Sequence, residues 1–234
     1  MKVAIMQPYF FPYIGYWQLM DAVDCFVIYD DVNYIKQGWI NRNKIQVDGS
    51  ERYFHISICK ASQNKKINQL NVDTDIRERK KTIRTIELAY KNAPNFMRVF
   101  PMAKEIILNK EINLADYLAD SLQKTASYLG IKTKLIRSSE INKNNTRKGQ
   151  DKILDICKIL GADEYYNAIG GKKLYTSNAF HEKGIQLYFL RTGEIKYQQF
   201  KTDFISNLSI LDIMMFNSTE LIAEMLKNYT LETD

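Results

Sequence analysis

Histidine and cysteine are scarce in this chain: His55 and His181, with Cys25, Cys59 and Cys157, among 234 residues. They are scattered, and beyond Asp30-Asp31 no close acidic cluster stands near them, so no metal site is expected. The same scarcity leaves no Ser-His-Asp or Cys-His arrangement to propose from spacing. The cysteines lie far apart in apolar surroundings, which reads as reduced cytoplasmic packing and not as a disulfide frame. No Walker loop and no dinucleotide fingerprint occurs. No apolar run is long enough to span a bilayer, and Met-Lys-Val-Ala-Ile at the start has no apolar h-region behind it. A cytoplasmic protein is expected. Excess charge is also small: the net +6 comes from basic residues scattered among acids. That favours an anionic small molecule or a phosphate over nucleic acid, which demands a concentrated basic stripe.

What is present begins in the first forty-odd residues. Val3–Met6 is a short apolar run without alternation, the pattern of a buried strand. Pro8 and Pro12 fix φ twice and withhold two backbone donors, so Gln7–Pro12 reads as a rigid extended loop. A helix follows to Ala22, then a second apolar strand, Cys25–Tyr29, ending on Asp30-Asp31. Strand, loop, helix, strand is the βαβ unit, in which ligands sit beyond the carboxyl ends of the strands. Both Gln7–Tyr16 and Asp30–Asn43 fall on that edge. The second segment packs amides, acids, aromatics and cations together: Tyr34 and Trp39 offer surfaces for a base or sugar, and Asn41, Arg42 and Asn43 offer hydrogen bonds to a planar or anionic group. The alternative is an aromatic seam of the core with a solvated polar rim.

These two segments, Gln-Pro-Tyr-x-x-Pro-Tyr-Ile-Gly-Tyr from Gln7 and Asp-Asp-Val-x-Tyr-x-Lys-x-x-Trp-x-Asn-Arg-Asn from Asp30, resemble the WbqC-like proteins. The blocks Asn167–Tyr175 and Leu208–Asn217 match the same pattern, so the resemblance covers nearly the whole chain. It implies a bacterial surface-polysaccharide (O-antigen) enzyme, of a family described as probable glycine transferases. Strand, proline loop and an aromatic-x-Gly-aromatic helix start at Tyr13-Ile14-Gly15-Tyr16 also resemble the nucleotidyltransferases and class I synthetases, where His-x-Gly-His binds phosphates. Tyrosine has no imidazole to stabilise that charge.

The middle third is helical: Ile76 to about Lys91 with Ile76, Ile83, Ile86 and Tyr90 inward, Asn95 to Leu108, and a helix capped by Asn113 that ends at Gly130. It reads as an insert at about 74–130 that covers the sheet or pairs with another subunit of a homo-oligomer. Tyr53–Cys59 alternates as one strand. Lys134–Arg137 is a strand followed by a polar loop with Arg147-Lys148 and a helix from Gln150 or Asp151, which is an anion site or a solvated loop. Gly170-Gly171 is either a close approach of backbone to ligand or a tight turn. Asp212 is placed in the first turn of a helix for its dipole alone, and Tyr229–Asp234 reads as a frayed end.

The expectation is a single α/β domain, residues 1–234, with a Rossmann-like, mostly parallel sheet. Its function is group transfer of a glycyl or other acyl group to a nucleotide-linked sugar. Asp30, Asp31 and Gln7 are the candidate catalytic residues. Tyr9, Tyr13, Tyr16, Tyr34, Lys36, Trp39, Asn41, Arg42, Asn43, Gly170 and Gly171 are candidates for substrate binding, and Arg147 and Lys148 for phosphate. No cofactor is named by the sequence. A non-catalytic nucleotide-sugar module and a nucleotidyl transferase are the alternatives.

Overall fold

The structure, a computed structural model, describes residues 1–200 and 203–233. Strand β1 (Lys2–Met6) buries Val3, Ala4 and Ile5 because both of its faces are covered, and β2 (Cys25–Ile28) is buried throughout for the same reason. Helix α1 (Ile14–Asp21) connects them, and the pair is parallel with Val3 opposite Cys25 and Met6 opposite Ile28. Next comes a hairpin of β3 (Arg42–Val47) and β4 (Ser50–His55). Asp48 and Gly49 turn it with φ of +49° and +74°, the left-handed pair that suits a tight hairpin.

The single strand expected over Tyr53–Cys59 is in fact two, and the reason is a change of partner. Through His55 the chain pairs with β3; then Ile56 N–H bonds Asn41 O, and β5 (Ile58–Cys59) pairs with β6 (Asn71–Val72). Cys59 is exposed, unlike the buried Cys25 and Cys157, so only two of the cysteines lie in apolar surroundings.

Helices α2 (Ile76–Tyr90), α3 (Phe96–Ile107) and α4 (Leu114–Tyr128) follow, with Asp75 and Asn113 accepting first-turn N–H bonds as caps. Ile83, Ile86 and Tyr90 face inward, whereas Ile76 is exposed, since the first turn of α2 overhangs the core. The chain then returns to the sheet with β7 (Lys134–Arg137), α5 (Gly149–Leu160), β8 (Glu164–Ala168), α6 (Ser177–His181) and β9 (Gln186–Thr192). Gly161 ends α5 at φ +69°, where a side chain would be strained. It closes with α7 (Ile210–Phe216), α8 (Thr219–Lys227) and β10 (Tyr229–Glu232).

The six-stranded sheet runs β10-β9-β8-β1-β2-β7, parallel except for β10. From β1 the chain moves outward through β2 to β7, then crosses to the other side of β1 with β8 and continues to β9. This is the doubly wound, Rossmann-like order, and its reversal lies between β1 and β8. One face of the sheet packs Ala4, Phe26 and Ile28 into a core shared with the helical middle third. The other packs Val3, Ile5, Cys25 and Val27 against Ile153, Ile156 and Cys157 of α5.

Tyr229–Glu232 is not frayed: it pairs antiparallel with Phe189–Thr192, closing the sheet edge, while Asp234 lies outside the described residues. Truncation after Asn228 should therefore lower amide-exchange protection along Phe189–Thr192 and leave Val3–Ile5 unchanged. Unchanged protection at β9 would show that β10 contributes nothing to the edge.

Candidate functional site

The carboxyl edge of the sheet is where the chain departs from regular structure. Between β1 and α1, Phe11 is held at φ +44°, a costly conformation for a bulky residue. Several bonds hold it there. Asn43 Nδ2 donates to Phe11 O at 2.8 Å and Phe10 O at 3.2 Å, and Ser209 Oγ donates to Phe11 O at 2.9 Å. Trp17 Nε1 donates to Pro12 O at 3.0 Å, and Phe10 N to Trp39 O at 3.1 Å. With the two prolines these bonds make Gln7–Pro12 rigid.

Two cavities open beside this loop. One, of about 230 Å³, is lined by Tyr9, Pro12, Tyr13, Trp39, Asn43 and Asn207. The other, of about 410 Å³, is lined by Ile14, Thr192, Glu194, Lys196, Tyr197 and Asn207 among others, so Asn207 is a wall of both. Gly15 is required here: a Cβ would lie 2.6 Å from the Tyr13 ring and 2.5 Å from Thr192 Oγ1, pushing Tyr13 out of the wall. Burial raises the phenol pKa of both Tyr9 and Tyr13. Aromatic faces at one end and mixed polar groups at the other suit a ligand with a flat ring and several hydroxyls.

A second constellation sits where β2 ends. Asp30 is fully buried and accepts Ser139 N at 2.9 Å and Ser139 Oγ at 2.6 Å. Asp31, also buried, accepts Ser138 Oγ at 2.7 Å, while Lys152 at 2.9 Å and Lys143 at 3.1 Å converge on its Oδ2. Lys143 also donates to Ser138 O, and Lys152 lies 5.0 Å from the Tyr29 ring centre. Burial by itself would raise the Asp31 pKa, but the bonds from Lys152, Ser138 and Lys143 together outweigh it and hold the carboxyl below its ordinary value. An acid held ionised in this way is a fixed charge and a poor proton acceptor at neutral pH.

The remaining sequence candidates are spread around these two constellations. Tyr16 is buried and donates to Gln7 O at 3.1 Å. Tyr34 donates to Asn41 Oδ1 at 2.8 Å, and Asn41 in turn donates to Ile56 O at 2.8 Å. Arg42 lies 4.5 Å from the Tyr53 ring centre and bonds the carbonyls of Gln37 and Gly38; Trp39 stacks on the same ring. Lys36 is exposed. Gln7 follows β1, and Gly170 and Gly171 follow the neighbouring β8, so the sheet order sets them on either side of the reversal point. A Cβ on Gly171 would meet Asn167 Nδ2 at 2.2 Å. Arg147 pairs with Asp155 at 3.3 Å, and Lys148 is exposed at the cap of α5.

Tyr9, Tyr13, Trp39 and Asn43 thus share one cavity, and the aspartates, glycines and Arg147-Lys148 line neither. Sequence reading missed Ser138, Ser139, Lys152, Thr192, Tyr197, Asn207 and Asp212. Asp212 does not merely serve a helix dipole: it is fully buried and accepts bonds from Tyr90, Tyr197 and Gln199. The available signal was a lone acid inside the apolar run Ile210–Phe216.

Fold and edge together define a doubly wound α/β protein with two adjoining cavities at the carboxyl edge of its sheet. The chain belongs to the WbqC-like protein family, whose model matches residues 7–224. It is 30% identical over 217 residues to the uncharacterized protein Rv1507c of Mycobacterium tuberculosis, covering 91% of this chain and 92% of that one. No solved structure matches it.

The Asp31 cluster generates a sharp expectation. Asp31→Asn leaves two buried ammonium groups without their carboxylate and should cost about 3–5 kcal/mol of stability. Adding Lys152→Met should recover part of that loss. Because the folded pKa of Asp31 is lowered, its contribution is present above the unfolded value of 3.8 and lost as pH falls through the folded one. The stability gap between wild type and Asp31→Asn should be constant at neutral pH and close in acid. Urea midpoints across pH measure both; a gap under about 1 kcal/mol at pH 7 would mean that Asp31 does not hold the cluster.

Proposed function

We propose that the protein is a group-transfer enzyme of bacterial surface-polysaccharide (O-antigen) biosynthesis that moves a glycyl or other acyl group to a nucleotide-linked sugar. The observation that carries this reading is the aromatic cavity of Tyr9, Tyr13 and Trp39 adjoining a polar one across Asn207. A base or sugar ring stacks on the aromatic faces, and its hydroxyls meet the polar end. The association of WbqC-like proteins with O-antigen biosynthesis supports the pathway. In this reading Gln7 supplies a donor to the developing oxyanion, and Asp30 and Asp31 fix the charged edge of the crevice. Arg147 and Lys148, at the start of α5, line neither cavity and take the diphosphate where the ligand extends beyond them. Nucleotidyl transfer through Tyr13-Ile14-Gly15-Tyr16 is less well supported, because the Tyr16 hydroxyl is committed to Gln7 O.

Calorimetric titration with UDP-glucose and UDP-glucosamine tests the reading. Both should bind, and Trp39→Ala should weaken them by about tenfold or more, the scale of one lost aromatic stack. Replacing Arg147 and Lys148 together by Ala should weaken the nucleotide sugars far more than the free sugars, with the effect shrinking in high salt. Mass spectrometry of incubations with an activated acyl donor should then show an acylated sugar. Absence of binding by any nucleotide sugar would sink the proposal, and binding without turnover would make the protein a carrier module.

A further inference from the structure

At the polar end of the groove a carboxylate is buried with no cation paired to it among the described residues. Asp212 Oδ2 accepts Tyr90 Oη at 2.7 Å, and Oδ1 accepts Tyr197 Oη at 2.6 Å and Gln199 Nε2 at 2.8 Å. Tyr90 reaches it from α2 and is itself fully buried. Tyr197 differs, because it is only half-buried and lines the cavity with Thr192 and Asn207. Its hydroxyl proton is held by Asp212, so toward any further partner the phenol oxygen can only accept. Gln199 Nε2 takes one lone pair at a long 3.3 Å, which leaves the other. A carbonyl, ether or phosphate oxygen has no hydrogen to offer such a group. An amine or a hydroxyl does.

We propose that this cavity seats the amine or hydroxyl that receives the transferred group, with Tyr197 as the catalytic residue that takes its proton and Asp212 as the base that stores it. The proposal rests on the acyl-transfer reading above. In the step, the acceptor N–H or O–H bond breaks and its proton goes to Tyr197 as the Tyr197 proton passes to Asp212. The freed lone pair forms a bond to the carbonyl carbon of an activated acyl donor, an ester or thioester. The bond from that carbon to the leaving group then breaks, and the leaving group departs with the electron pair. Asp212 returns its proton to it through Tyr197, so acceptor–H and acyl–X become acyl–acceptor and H–X with no redox change.

The surroundings suit this work. Burial pushes the Asp212 carboxyl above its ordinary value, and the bonds from Tyr197, Tyr90 and Gln199 offset only part of that, which makes it a stronger base than an exposed carboxylate. The charged groups at the cavity, Glu194 and Lys196, pair with each other at 2.5 Å and leave no net charge to bias it.

Glucosamine, an amino sugar without a nucleotide, is the probe. In NMR spectra of the wild-type protein it should shift the Asp212 carboxyl carbon and the amides of Thr192 and Asn207. Tyr197→Phe keeps the ring on Phe204, which lies 5.2 Å away between centroids, so the fold should survive. That variant should bind glucosamine about tenfold more weakly and lose the Asp212 response. In turnover it should lower kcat about a hundredfold and raise the KM of the amino-sugar acceptor, with the KM of the acyl donor little changed. Asp212→Asn, checked for folding by its melting temperature, should lower kcat by a similar factor. No shift at Asp212, or unaltered binding by Tyr197→Phe, overturns the proposal. Nucleotide sugars that bind without touching Asp212 would overturn it while leaving the acyl-transfer reading intact. Glucosamine seated here, with no nucleotide sugar binding anywhere, would overturn that reading and keep the donor-selective cavity.

Discussion

The amide of Asn43 holds the site together. A β3 side chain reaches two consecutive carbonyls, Phe10 and Phe11, in a loop that follows β1, and Ser209 at the cap of α7 reaches the second of them. Three distant segments are tied at one residue whose backbone is in a left-handed conformation. Such a conformation costs about 1–2 kcal/mol for an L-residue, so it persists only because the hydrogen bonds and the burial of Phe10 and Phe11 over-determine it. Tyr9 and Tyr13 flank the pinned residues and inherit their rigidity, which is what a stacking surface needs.

Two buried aspartates near this edge are treated in opposite ways. Asp31 faces two ammonium groups and is held ionised; Asp212 faces two phenols and an amide and is pushed toward its protonated form. The ammonium pair also ties the end of β2 to the chain after β7 and to the first turn of α5, so the charge that sets the edge is also a structural tie. Asp212 is likewise a structural tie, joining α2, α7 and the segment of Tyr197 and Gln199.

Local patterning was enough for the βαβ start, the capped helices of the middle third and the parallel character of the sheet. Continuous apolar runs, prolines and capping residues act within a few residues of themselves, so they are legible in one dimension. The aromatic residues Tyr9, Tyr13 and Trp39 were visible as candidates for the same reason, as an unusual density of stacking groups beside prolines. Pairing partners were not visible in this way. The Tyr53–Cys59 run alternates as one strand should, yet it divides because Ile56 turns to Asn41 and Ile58 to Val72. Tyr229–Glu232 has polar, end-of-chain character and becomes a strand only because β9 presents an unpaired edge.

By itself the sequence determined the α/β class, the rigid Gln7–Pro12 loop and the placement of two polar segments at strand ends. Only the tertiary structure decided which charges meet. Lys152 is 121 residues from Asp31, Ser209 is 198 from Phe11, and Tyr90 is 122 from Asp212. A hydrogen bond or an ion pair depends on distance in space and on the loss of water around both partners, and neither quantity is written in the spacing of residues along the chain.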